Sequence, residues 1–191
     1  MSPKIEFPKF NHPEVQALYE YDLSIPKEKV EAILELPRAT LIKDIETMLL
    51  DTIERKEFFS NYPDEDIWWS MPMHGLWMLI ELKAVEALPI IFEVLKQDDD
   101  YINSFLGDYA TEDYWEVLYH LGGNNLEDLN TVVLSPGEWI NRIVPFTAAE
   151  QIALYQPARR TEIIDWYRSI LDAFLAMEDG DAALDLSLIH I

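Results

Sequence analysis

The sequence predicts an all-α protein: a short α-solenoid of helix hairpins behind an N-terminal helical segment. Three observations predict it. Apolar residues recur at the three- and four-residue spacing of amphipathic helices along most of the 191 residues. Tight breaks such as Lys83-Ala84, Gly122-Gly123-Asn124 and Gln156-Pro157 join the periodic segments, short enough to turn one helix back along its neighbour. Leu88, Leu126 and Ile163, each near the start of a second helix, are 38 and 37 residues apart, close to the period of two-helix solenoid repeats. Only the apolar skeleton recurs, so three successive hairpins of an ordinary bundle satisfy the same pattern.

Each element has its own signal. Pro8 and Pro13 flank aromatic residues over positions 4–13, which read as an extended arm that docks Phe7 and Phe10 on the body. Helices are predicted over residues 13–21 and 26–36; for the second, Ser24 is the N-cap, Pro26 lies in the first turn, and Val30, Ile33 and Leu34 mark one face. Pro37 starts a longer helix with Leu41, Ile45, Met48, Leu49 and Ile53 at helical spacing, and residues 55–66 read as a polar linker. Residues 67–82, a turn at Lys83-Ala84 and residues 85–96 form the first helix pair, striped by Leu88, Ile91, Phe92 and Leu95, with Pro89 in the first turn of its second helix. Tyr114, Val117, Leu118 and Leu121 line the next helix, and Leu126, Leu129, Val132 and Val133 begin its partner. The third pair runs from Ile140 through Ile152 and Tyr155, then from Ile163 to Phe174. Thr131–Leu134 is the best strand candidate, and it is short. The organisation expected is therefore an arm and helices over residues 1–66, three helix pairs over 67–176, and a disordered or non-native tail over 177–191.

Fourteen lysines and arginines face 36 aspartates and glutamates, a formal net charge of -22. Such a surface repels phosphate backbones, which excludes ordinary nucleic-acid binding. Between Lys96 and Arg142 there is no lysine or arginine at all, while ten carboxylates from Asp98 to Glu138 fall in that stretch. It reads either as a solvated acidic rim or as a surface for a basic partner or a loosely held divalent cation. With no cysteine, disulfides, thiol catalysis and Cys-ligated zinc are excluded within these residues. Neither a secretory leader pattern nor a run of about 18 apolar residues is present, so no membrane association is expected and the cytoplasm is the default location.

Several stretches, in order, resemble an uncharacterised family of bacterial HEAT-like helical-repeat proteins: residues 9–46 (KFNHPEVQALYEYDLSIPKEKVEAILELPRATLIKDIE), the 73–95 hairpin (MHGLWMLIELKAVEALPIIFEVL), residues 105–122 (FLGDYATEDYWEVLYHLG) and 151–171 (QIALYQPARRTEIIDWYRSIL). The resemblance implies a HEAT-like repeat fold and transfers no catalytic residue. Family members of this kind sometimes continue into a Cys-rich, zinc-binding SEC-C motif. Pro145 departs from the uninterrupted helix the resemblance implies, and is expected to break or kink the chain near Val144. The last six residues, Leu186-Ser187-Leu188-Ile189-His190-Ile191, match one reading frame of a transposase-type sequencing adapter, so the natural gene is expected to continue.

No constellation marks a known chemistry. The four histidines include no HExxH and no i, i+4 pair, and the glycines form neither G-x-G-x-x-G nor a Walker A loop. No G-x-S-x-G elbow is present, and 36 carboxylates single out no catalytic pair. No catalytic residue, metal ligand set or cofactor is assigned. His74, inside an apolar helix, reads as a packed, hydrogen-bonded core residue. Glu116 and His120 share a helix face and read either as a pair of the kind common on solvated helices or, with Asp108 and Asp113, as an acidic pocket or half a metal site. Trp68, Trp69 and Trp77, with Met71, Met73 and Met78, form the densest aromatic and Met cluster; the reading is core, or else a groove for a peptide, since adjacent tryptophans cannot both point inward on one helix. Arg159 and Arg160 open the last helix, where they either receive an anion or neutralise neighbouring acids.

Two functions follow. The first is a non-enzymatic protein–protein interaction module, its acidic, aromatic-lined helical surface suited to a basic peptide or protein. The alternative is an enzyme with an acidic pocket, with or without a metal, around Asp108, Asp113, Glu116 and His120.

Overall fold

The computed structural model describes residues 6–61, 70–124, 126–135 and 140–176. Among these residues the secondary structure is entirely helical. No described helix is long and apolar enough to cross a membrane. The chain divides into two compact units, Met1–Tyr109 and Ala110–Ile191.

The first unit is organised on its longest helix. The arm leads into a 3₁₀ helix, Pro13–Tyr19, followed by α1 (Lys27–Leu34), α2 (Arg38–Glu54) and the short α3 (Lys56–Ser60). After the undescribed residues come α4 (Met71–Glu81), a 3₁₀ turn over Val85–Ala87, α5 (Leu88–Leu95) and α6 (Asp99–Phe105). Leu41, Ile45, Met48 and Leu49 of α2 are fully buried, as the spacing predicts. Helix α4 crosses α2 at Gly75, where an added Cβ would sit 2.6 Å from Met48 Cε and 3.2 Å from Ile45 Cγ2. Arg38 ties the N-terminus of α2 to the following hairpin, donating to the carbonyls of Leu82 and Lys83 and pairing with Glu86. Lys83 takes φ +50° at that turn, the left-handed conformation that lets α4 double back into α5.

Polar groups buried on α2 fix the arm. Asp44 accepts from the backbone N–H of Asn11 (2.7 Å) and His12 (2.9 Å) and from Asn11 Nδ2 (2.8 Å). Phe7 and Phe10 then pack on Tyr19, with ring centroids at 5.3 and 6.1 Å, so the arm docks as predicted. Two helical turns along, Asp51 takes the Tyr19 hydroxyl (2.8 Å) and the Arg55 guanidinium, whose face lies over Phe59 at 4.8 Å. Burial first, then the Asp51 charge, raises the Tyr19 pKa, so the phenol stays a donor.

Several local expectations are corrected. Residues 13–19 form a 3₁₀ helix rather than an α-helix, and Pro26, not Ser24, occupies the N-cap of α1, its carbonyl accepting from Lys29 and Val30. Ser24 instead donates its N–H to Asp22. The expected polar linker holds α3, because Arg55 is drawn into the Asp51 pair and Phe59 into the core. Asp98 caps α6 through the Tyr101 N–H (2.9 Å), a helix the sequence pattern leaves unmarked although Tyr101, Ile102 and Phe105 supply its buried face.

The second unit is built around one long helix. The chain enters it within α7 (Tyr109–Glu112) and continues through α8 (Tyr114–Val117), a π-helical turn (Leu118–Gly122), α9 (Leu126–Val133), α10 (Ile140–Tyr155), a 3₁₀ turn (Pro157–Arg159) and α11 (Arg160–Ala176). Helix α10 packs against α8, the π turn, α9 and α11. Phe146 anchors this core, stacked on Tyr167 at 5.5 Å and edge-on to Trp166 at 5.7 Å. The Tyr167 hydroxyl donates to the Phe146 carbonyl and Trp166 Nε1 to Asn130 Oδ1.

Two further expectations fail here. Of the break or kink expected at Pro145, the break does not occur: α10 runs through it, because Val144, Pro145, Phe146, Ala148 and Ala149 are all buried and packing outweighs the one lost hydrogen bond. Thr131 to Val133 belong to helix α9, not to a strand. Trp68, Trp69 and the 177–191 tail lie outside the described residues.

Candidate functional site

The second unit carries an open cleft of about 320 Å³ lined by Trp115, Glu116, Tyr119, His120 and Tyr155. Its position follows from helix geometry. Tyr114, Val117, Leu118 and Leu121 are buried, so the intervening residues face outward. At Leu118 the α-helix widens into the π turn, a feature frequently found at functional sites. Trp115, Glu116, Tyr119 and His120, at i, i+4 spacing, share one face, while Tyr155, the last residue of α10, closes the other side.

Tyr119 contacts each of the other rings of the cleft. Its ring meets Trp115 at 6.2 Å and 78°, Tyr155 at 6.4 Å and 79°, and His120 at 5.1 Å and 89°. The rings therefore stand as near-perpendicular walls rather than as a stack. Trp115 is fixed by its own donor, Nε1 to the Glu112 carbonyl at 2.7 Å. Tyr155 is 71% exposed, a large aromatic surface left in water. Among the described residues, no lysine or arginine pairs with Glu116.

Gly123 holds the π turn against α10. An added Cβ would lie 2.7 Å from the Tyr119 carbonyl oxygen and 3.0 Å from Ile152 Cδ1. Arg159 then caps the turn, donating Nη1 to the Gly123 carbonyl while its other nitrogens hold Glu162. The Arg159 hydrogen bond keeps the Glu162 carboxyl below the usual range, and the Arg159 pKa is raised in return. Arg160 donates to the Ala153 carbonyl at the end of α10 (2.9 Å). These two arginines, read either as an anion site or as neutralising neighbouring acids, thus each bond a different helix end, and Arg159 also pairs with Glu162.

Of the four acidic-pocket residues, Glu116 and His120 line the cleft. Asp113 is exposed and not part of its lining, and its carbonyl accepts from the Glu116 N–H. Asp108 belongs to the first unit, beside Gly107 at φ +51°. No group of three or more His, Cys, Asp or Glu side chains placed to hold a metal ion is found among the described residues. Tyr119 and Tyr155, which make two of the cleft's walls, are site residues that the sequence pattern does not mark. Their signal exists only after folding: 36 residues separate them.

In the first unit, Trp77 is 39% exposed and meets Tyr109 edge-on at 5.6 Å, while Met71, Met73 and Met78 are buried, as a core stripe should be. His74 is packed and 2% exposed, and neither ring nitrogen makes a hydrogen bond of good geometry. Burial lowers its pKa, with the backbone of Leu18 and Asp22 partly opposing. A second groove, about 340 Å³, lies between the 3₁₀ helix and α1 and carries its own cation, Lys29, beside Glu14 and Glu20.

The family model described as a protein of unknown function (DUF1186) matches residues 14–190. The chain belongs to that family. No curated protein and no solved structure gave a match.

Proposed function

We propose that this DUF1186 chain is a non-enzymatic binding module that engages a basic protein in the cytoplasm, with the cleft of the second unit as its contact point. One observation carries the reading: the exposed ring of Tyr155 and the half-buried rings of Trp115 and Tyr119 line a cleft with a carboxylate that pairs with no lysine or arginine among the described residues, on a chain of net charge -22. Aromatic side chains left in water are enriched at contact surfaces, and unmatched charge of one sign recruits the opposite sign. The HEAT-like character expected from the repeat spacing is part of this proposal. It is supported by helix hairpins such as α4 with α5 and by the short connection between α10 and α11.

Catalysis has less support, because among the described residues no second carboxylate or histidine lines the cleft beside Glu116 and His120. The test is affinity capture on the immobilised full chain, followed by purification of the recovered protein and a direct binding titration at low and high salt. A basic partner whose affinity falls steeply with salt is the expected result. A partner that binds equally well at high salt, or an acidic one, would overturn the reading.

A further inference from the structure

We infer that the Trp115–Tyr119–Tyr155 cleft is a cage for one lysine ammonium group of the basic partner. The inference rests on the binding-module reading and names the group it recognises. Three features of the cleft select this chemistry.

The first is the ring geometry. Trp115 and Tyr155 stand at 78° and 79° to Tyr119, with centroids 6.2 and 6.4 Å from it. A cation admitted beside Tyr119 meets rings set at different angles, and the quadrupole attraction acts within about 6 Å of a ring face. A compact, roughly spherical ammonium addresses perpendicular walls together, whereas a planar guanidinium stacks on one face and leaves the others empty.

The second is charge. Glu116 lines the cleft, and among the described residues no internal cation pairs with it. The second unit's arginines are engaged elsewhere: Arg159 with Glu162 and Gly123, Arg160 with Ala153, Arg168 with Asp165, and Arg142 over the Phe174 ring at 5.4 Å. No lysine or arginine occurs between Lys96 and Arg142. Among the described residues no lysine or arginine therefore occupies the cage, unlike the first unit's groove, where Lys29 already lies over Tyr21 at 5.3 Å.

The third is size. A cleft of about 320 Å³ open to solvent takes one side chain with its flanking backbone, and is small for a folded surface or a helix.

The experiment titrates the full chain with four short uncharged-flank peptides that differ only at the central residue: lysine, trimethyl-lysine, acetyl-lysine and arginine. Binding is followed by NMR at the Trp115 indole N–H, assigned by the peak lost in Trp115→Phe. The expected result is a saturable shift for lysine and trimethyl-lysine with Kd of about 1 mM or tighter, at least about fivefold weaker for arginine and absent for acetyl-lysine. Tyr155→Ala, at an exposed position, is expected to weaken the lysine peptide about two- to fivefold, and Glu116→Gln by a similar factor, with less dependence on salt. Equal binding of acetyl-lysine, a preference for arginine, or the absence of any saturable shift overturns the cage. So does binding that Tyr155→Ala and Glu116→Gln leave unchanged. In each case the captured basic partner, still bound in a salt-sensitive manner, would leave the module reading standing; loss of that partner's salt sensitivity would overturn the module instead.

Discussion

Replacing Gly123 by alanine tests whether the π turn is held by close packing. The new Cβ would meet the Tyr119 carbonyl oxygen at 2.7 Å and Ile152 Cδ1 at 3.0 Å. The first contact is with backbone, so no rotamer change relieves it; the π turn or α10 must move. Overpacking of this kind costs about 1–3 kcal/mol. Against it stands the smaller entropy of the unfolded alanine chain, worth about 0.4–1 kcal/mol. The net expectation is a loss of about 0–2.6 kcal/mol, or a fall in Tm of up to roughly 10 °C for a chain this long, read by calorimetry. Gly75→Ala is the internal control. Its closest contact, 2.6 Å, is to Met48 Cε, the far end of a flexible side chain, and it gains about 1 kcal/mol of helix propensity inside α4. Gly75→Ala should therefore stay within about 1 kcal/mol of the parent. A Gly123→Ala protein that melts above the parent, or a Gly75→Ala protein that loses more than it, would refute the reasoning from contact type.

The remaining predictions concern the first unit. Arg55→Ala leaves Asp51 and the Tyr19 hydroxyl with an uncompensated, mostly buried carboxylate, and should cost about 2–3 kcal/mol in denaturant unfolding. Asp44→Ala strands the N–H groups of Asn11 and His12, so the arm should become the first site cut in limited proteolysis, with a loss of about 1–3 kcal/mol. His74 is buried with its pKa below the ordinary 6.5, so the unfolded chain takes up a proton on this residue before the native one does. Stability should therefore fall as pH drops below about 6.5. His74→Gln should flatten that part of the profile; an unchanged slope in urea midpoints against pH would show that His74 does not contribute. Burial raises the pKa of Glu46 and Glu150, which acts in the opposite direction near the carboxylate range, so the difference between parent and variant is the quantity to read.

The helices were legible because burial imposes its period on the sequence. Ile45, Met48 and Leu49 on α2, and Leu88, Ile91 and Leu95 on α5, are core residues at the spacing that announced them. Punctuation read almost as well, with Pro37 preceding α2 and Pro89 in the first turn of α5. What misled was local chemistry settled by distant partners. Arg55 and Phe59 look like linker residues until Asp51 and Tyr19 are beside them. Pro145 signals a break only if the surrounding helix lacks a core to offset it, and here Val144, Phe146 and Ala149 are buried. The candidate site was half legible: Glu116 and His120 share a face through local helix geometry, whereas Tyr155 joins them only by folding. The π turn that arranges them leaves no period of its own in so few residues.

The arginines explain why the cleft stays unneutralised. In the second unit each is engaged in holding the structure, since Arg159 secures the turn at the Gly123 carbonyl, Arg160 terminates α10, Arg168 pairs with Asp165 and Arg142 covers Phe174. The cation that fixes the cage's backbone is thus engaged with Glu162 rather than with Glu116. Breaking that arrangement should act on the cleft without touching its lining. Arg159→Met removes the cap on Gly123 and the pair with Glu162 together, whereas Glu162→Gln removes only the pair. If the cap positions the walls, Arg159→Met should disturb the Trp115 indole and Tyr119 ring resonances, and Glu162→Gln should not. Equal disturbance by both would mean that the ion pair, rather than the cap, fixes the turn.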